Sequence, residues 1–213
     1  METRDVDALK QVIRDSVESF VETRFRPNPY VYLYESDIQA DLFGVLRENV
    51  RRQGGAGNRR VSCTMKLKGM PDAVELGLIY TEYAGRIDIV CLNPMTPTRA
   101  IDSAYKQIHP RAKTEAFWDQ PLLYGIELKY SMTGKRCGLK DCESDFKKLV
   151  QYQTERKEYS PGFAFMVLCF VQDDGSLEDL KNEVMPRWTP TTSLDRDDSI
   201  YFIAQKGIFR LTP

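Results

Sequence analysis

Leu122-Leu123-Tyr124-Gly125-Ile126-Glu127-Leu128-Lys129-Tyr130 is the stretch that decides how this chain folds. It reads as a β-strand, whose side chains alternate between two faces. Glu127 and Lys129 therefore share one face, and Ile126, Leu128 and Tyr130 share the other. Leu122, Leu123 and Ile126 argue for a central strand rather than a solvated edge. An acid and a base then stand side by side at a strand end, just ahead of a polar loop rich in lysine and glycine over 133–142. On Coulomb grounds each favours the charged form of the other. The competing reading is an ordinary surface ion pair on an edge strand, which contributes little.

Upstream lies Gly85-Arg86-Ile87-Asp88-Ile89-Val90. Ile87 and Ile89 fall on one face of this strand, and Asp88 falls on the other with Arg86 and Val90. Aspartate is disfavoured in strands, and burying it without a partner is costly. A metal ion or a lysine would compensate, and so would a structural pair with Arg86 or a residue of the C-terminal tail. If the two strands are neighbours, Asp88, Glu127 and Lys129 converge. Two carboxylates suit a hard, oxygen-seeking cation such as magnesium, which acidifies a bound water and stabilises charge on a phosphoryl oxygen. Lys129 could orient that water or offset the developing charge.

The elements around this pair alternate in type. Val6, Leu9, Ile13, Val17, Phe20 and Val21 recur at helical spacing, and the helix they predict ends before Pro27 and Pro29. A second helix is expected from near Ser36, entered through Tyr34-Glu35-Ser36-Asp37, with Ile38, Leu42, Val45 and Leu46 as its apolar face. It fades into the basic, glycine-rich Arg51-Arg52-Gln53-Gly54-Gly55-Ala56-Gly57. Strands are expected over Val61–Leu67, Glu75–Tyr83 and Gly85–Leu92, the last two joined by a turn at Ala84-Gly85. After Leu122–Tyr130 come a helix over Asp141–Glu158, a central strand over Phe163–Val171, a short helix over Leu177–Val184, and a hairpin of Ile200–Ala204 and Ile208–Leu211 turned at Lys206-Gly207. This order predicts an α/β fold with a single mixed central sheet flanked by helices.

An acid on one strand followed by Glu-x-Lys on another resembles the PD-(D/E)XK nuclease superfamily, the restriction-endonuclease-like fold. The likeness rests on Asp88, Glu127 and Lys129. It extends to Glu35, because Glu35-Ser36-Asp37-Ile38-Gln39 looks like the helix entry that carries a glutamate in many members. Ile87 stands where the name-giving proline would be. The long interval between Asp88 and Glu127 implies an insertion or lid over residues 93–121. The resemblance implies a mixed sheet of about four strands, Asp88 and Glu127 as metal ligands, the Leu128 carbonyl as a third, and Lys129 as the catalytic lysine. Glu35 would be a further ligand, direct or through water. For Glu35 the alternative is a helix N-terminal acid that complements the dipole. Members often carry a lysine or glutamine on the helix after the third motif. Asp145, Lys148, Gln151 and Gln153 are the candidates here, with Lys148 favoured.

Composition bounds the function. The 213 residues suit one domain, 1–213, or one domain carrying a long insertion. With 30 basic and 31 acidic residues the net charge is −1. That counts against a protein that coats nucleic acid by bulk charge, and little against a nuclease that needs acids for its metal. Five cysteines, an odd count, fit a reducing compartment. No apolar run approaches the ~20 residues of a membrane span, and Met1 leads into a charged helical pattern rather than an apolar signal. A cytoplasmic location is expected. His109 is the lone histidine, so a histidine-dependent triad would rest on it alone. Cys137 and Cys142 supply only two local thiols toward the four ligands of a zinc site. Arg51, Arg52, Arg59 and Arg60 could grip phosphates or form a solvated basic loop. Trp118 could stack on a base, although Trp118 and Trp188 read first as packing residues.

The expectation is thus a nuclease hydrolysing phosphodiester bonds, DNA favoured over RNA, with Mg2+ as cofactor and Mn2+ able to substitute. Because nucleases that cut both strands often pair, a homodimer is among the expectations. The alternative is a non-cleaving nucleic-acid-binding module of the same fold within a larger assembly. A small-molecule phosphohydrolase lacks the glycine-rich phosphate cradle it would need.

Overall fold

A computed structural model of the chain describes residues 3–53, 63–66, 73–76, 78–83, 87–93, 122–132, 139–157, 160, 162–187 and 197–211. The expected turn at Ala84-Gly85 with Arg86, residues 94–121 of the expected insertion with His109 and Trp118, and Arg59, Arg60, Cys137 and Trp188 lie outside them.

Helix α1 spans Thr3–Phe20, and its Leu9, Ile13, Val17 and Phe20 are all buried. A π-helical turn, Val21–Phe25, continues it and buries Val21 and Phe25. Pro27 and Pro29 cannot extend the helix, and a 3-10 turn over Pro29–Val31 leads toward α2, Glu35–Gln53. The strands are β1 (Cys63–Lys66), β2 (Ala73–Leu76), β3 (Ile79–Tyr83), β4 (Ile87–Leu92) and β5 (Leu122–Ser131). Then follow α3 (Leu139–Glu155), β6 (Ala164–Val171), α4 (Asp174–Arg187), β7 (Ser199–Ile203) and β8 (Ile208–Leu211).

The main sheet has six strands in the order β3-β4-β5-β6-β7-β8. β3 to β5 are successively antiparallel, β5, β6 and β7 run parallel, and β8 returns antiparallel. A mixed sheet flanked by helices agrees with the expected α/β class, but it is larger than the four strands the resemblance implied, because the tail hairpin extends it. It is also not the single sheet expected, since β1 and β2 pair with each other in a separate two-stranded ribbon. The stretch Glu75–Tyr83, expected as one strand, is divided between the two sheets. The expected short helix Leu177–Val184 is longer at both ends.

β6 explains the layering. All eight of its residues are buried, as a strand covered on both faces requires. Met166, Leu168 and Phe170 pack with Ile126 and Leu128 of β5 against α1 and α2 through Ile13, Phe20, Ile38 and Leu42. Phe165, Val167 and Cys169 face the opposite way, against Cys142, Phe146 and Leu149 of α3 and Leu177 of α4. Ile87 and Ile89, expected on one face, divide between these two cores. Gly125 is required beneath Phe163, because a Cβ there would lie 2.9 Å from the ring. Cys142 and Cys169 meet at 2.7 Å between their sulfurs, joining α3 to β6.

Candidate active site where β4 leaves β5

β5 pairs with β6 along the whole run from Tyr124 to Ser131. On its other side the β4 register ends at Ile89 opposite Ile126, one step short of setting Asp88 across from Glu127. Beyond that point no strand among the described residues pairs with this edge of β5, and buried main-chain polar groups must find other partners. Side chains supply them. Asp88 Oδ2 accepts the Leu128 N–H at 2.7 Å, and Glu35 Oε2 accepts the Tyr130 N–H at 3.1 Å. Lys129 Nζ donates to the Leu128 carbonyl at 2.9 Å. The Asp88 carbonyl accepts from Gln39 Nε2 at 2.9 Å. The parting of two strands thus draws Glu35, Asp88 and Lys129 to one place.

Glu127 and Lys129 do point to a common face, as alternation requires, but they do not neutralise each other as expected. Same-face neighbours on a strand stand about 6–7 Å apart, and α3 offers nearer partners. Lys148 Nζ lies 2.7 Å from Glu127 Oε1 and 3.1 Å from Asp145 Oδ1. Lys129 Nζ lies 2.8 Å from Asp145 Oδ2 and 3.9 Å from Glu35 Oε1. Asp145 is therefore the acid shared by both lysines.

The charges are strongly perturbed. Glu127 is 1 % exposed. Burial, with the negative charge of Asp88 beside it, pushes its carboxyl up to about 8 against the pull of Lys148. Burial also raises Asp88, opposed by the Leu128 N–H, by Lys129 and Lys148, and by a hydrogen bond from Glu127. Glu35 is raised by burial and by Asp88 and Asp145, against Lys129 and the Tyr130 N–H. For both lysines burial disfavours the ammonium, but the surrounding carboxylates outweigh it and both are raised. Two adjacent carboxyls that resist ionising together mark a place where a cation would relieve repulsion.

The donor set fits magnesium on chemical grounds. Asp88, Glu127 and the Leu128 carbonyl are hard oxygens, and Mg2+ takes few protein ligands while keeping several waters. Among the described residues there is no group of three or more His, Cys, Asp or Glu side chains that could hold a metal ion. The set is therefore two carboxylates and a carbonyl, and that carbonyl already accepts from Lys129.

Of the nucleic-acid candidates, Lys148 lies within the cluster. Arg51 and Arg52 do not: they pair with Glu48 near the far end of α2, about 24 Å along the helix from Glu35 at 1.5 Å per residue. Gln151 pairs with Glu155, and Gln153 holds the Phe163 carbonyl. Asp145, a candidate beside the favoured Lys148, also lies within the cluster. One contributor was not singled out from sequence: Gln39 is four residues after Glu35, a spacing that puts the pair on one helix face. A groove lined by Val17, Val21, Tyr201, Ile203 and Ile208 carries none of the cluster's groups. Among the described residues, no helix is long and apolar enough to cross a membrane. No family model, curated protein or solved structure matches the chain.

Proposed function

We propose that this chain is a divalent-metal-dependent nuclease that hydrolyses phosphodiester bonds, in DNA before RNA, and that its sheet is an enlarged form of the restriction-endonuclease-like fold. One observation carries the reading. Asp88, Lys129 and Glu35 meet where β4 parts from β5, and Glu127 is joined to Lys129 through Lys148 and Asp145. Asp88, Glu127 and the Leu128 carbonyl would hold Mg2+, or Mn2+ in its place. The bound cation supplies positive charge at a phosphoryl oxygen and acidifies a water. Lys129 offsets the negative charge that develops at phosphorus and orients the attacking water. Glu35 and Asp145 keep the Lys129 ammonium charged and in position.

A second reading has its own support. Each lysine of the cluster already has a carboxylate partner, as in a structural network, and this favours a non-cleaving nucleic-acid-binding module. Incubation of the pure protein with DNA and RNA, with Mg2+ or Mn2+, separates the two. Cleavage that is lost in Asp88→Ala and in Lys129→Ala is the expected result. No cleavage by the wild type, or equal cleavage by both variants, would sink the nuclease. Calorimetry adds a direct criterion, since Mg2+ binding should depend on Asp88 and Glu127. Sedimentation with and without substrate tests the homodimer, which we place second to the chemistry.

A further inference from the structure

Apolar side chains are exposed in a cluster immediately ahead of Glu35. Tyr30 is 56 % exposed, Val31 58 %, Leu33 56 % and Tyr34 68 %. The segment that carries them is nevertheless pinned. Asp37 Oδ2 accepts the N–H groups of both Leu33 and Tyr34 at 2.9 Å. The Tyr32 carbonyl accepts from the Tyr130 hydroxyl, and from Gln172 Nε2 at 3.3 Å. The Tyr32 ring turns inward, with its hydroxyl donating to Asp41 Oδ2 at 2.8 Å and its face stacked on Phe25. Pro29 fixes the start of the segment. Tyr130 belongs to β5 and follows Lys129, so the platform and the cluster hang on the same strand.

Two solvent-facing aromatic rings on a segment whose backbone is already held suit base stacking, because every base offers a π-face and less ordering is left to binding. Four side chains from one short segment are too few for a stable protein interface, which covers about 800 Å² on each partner. Tyr34 directly precedes Glu35, whose carboxylate lies 3.9 Å from Lys129 Nζ, so the exposed tyrosines adjoin, along the chain, the cluster at which the backbone is placed. Stacking there requires bases free of a duplex partner. We infer that Tyr30–Tyr34 is a stacking platform for unpaired bases of a single-stranded nucleic acid whose backbone lies at the carboxylate–lysine cluster. This rests on the nuclease reading for the position of the backbone.

The test is binding of a fluorescein-labelled oligothymidylate and of a matched duplex, with Ca2+ in place of Mg2+ so that an oxygen-seeking cation is kept while its looser geometry disfavours cleavage. The wild type should prefer the single strand. Tyr30→Ala/Tyr34→Ala should weaken single-strand binding roughly tenfold or more, Tyr30→Phe/Tyr34→Phe should retain it, and duplex binding should not respond to either. Unchanged single-strand affinity in the alanine variant overturns the inference. So does an equal loss in the phenylalanine variant, or self-association that disappears with the tyrosines while oligonucleotide binding stays. Cleavage assays on the same proteins keep the two ideas apart. Cutting with tyrosine-independent binding removes the platform and leaves the nuclease. Tyrosine-dependent binding without cutting does the reverse.

Discussion

Asp88 Oδ2 accepts the main-chain N–H of Leu128 at 2.7 Å, so a side chain of β4 takes the place of a ladder bond to β5. The same carboxylate is thus both a structural tether and a proposed metal ligand. Isosteric change separates these roles. Asp88→Asn keeps an oxygen acceptor for Leu128 and removes the charge, so its melting temperature should stay near that of the wild type while cleavage falls at least about a hundredfold. Asp88→Ala orphans the Leu128 N–H as well and should lose a further ~1–3 kcal/mol of stability. Urea unfolding beside cleavage rates measures both, and an Asn variant that still cuts removes Asp88 from the site.

Asp145 is the counter-ion of two lysines. In Asp145→Asn two partly buried ammonium groups face a neutral amide. Losing one partner of a fully buried pair costs more, but both lysines keep some solvent access, and the expected loss is about 1–3 kcal/mol after screening. Asp145→Asn/Lys148→Met should recover part of it. Denaturant midpoints for the wild type, Asp145→Asn, Lys148→Met and the double variant decide, and additive losses would mean that Asp145 and Lys148 do not act together.

Glu127 gives the protein a pH signature. Its carboxyl sits at about 8 in the fold against an ordinary 4.5, so in that window the folded state holds a proton the unfolded chain has released. This contribution is complete below about pH 4.5 and is lost as the pH rises through about 8. Asp88 and Glu35 are shifted the same way. Without divalent ions the melting temperature should therefore decline across that range, and Glu127→Gln should flatten the decline. A wild-type melting temperature that climbs from pH 5 to 8 contradicts the assigned environment.

Gly125 lies under Phe163, two residues before Glu127. A methyl group there would enter the space of the ring and approach Leu149 of α3 at 3.4 Å. Gly125→Ala should cost roughly 1–3 kcal/mol by overpacking. It should also lower cleavage, because α3 carries Asp145 and Lys148. A variant as stable and as active as the wild type would show that the ring moves aside freely.

What could be read in advance was what local periodicity controls. The alternation at Glu127 and Lys129, the apolar run that became β6, and the helix ahead of Pro27 are each set by spacing within one element. Asp145 and Lys148 were among the candidates, but their pairing with Lys129 and Glu127 was not readable, because it depends on how α3 docks through Cys142, Phe146 and Leu149. The division of Glu75–Tyr83 was hidden for a like reason: β2 and β3 have similar composition, and only their partners separate them. Arg51 and Arg52 looked apt by charge, yet the length of α2 sets them far from the cluster.

The bare edge of β5 has one more consequence. The amides of Leu128 and Tyr130 are held by carboxylates rather than by a neighbouring strand. Their proton resonances are therefore native gauges of the site's electrical state, moving as Asp88 and Glu35 gain or lose a proton or a cation. Two backbone signals can be followed by magnetic resonance in 15N-labelled wild-type protein, with no substrate, to read the site's occupancy directly.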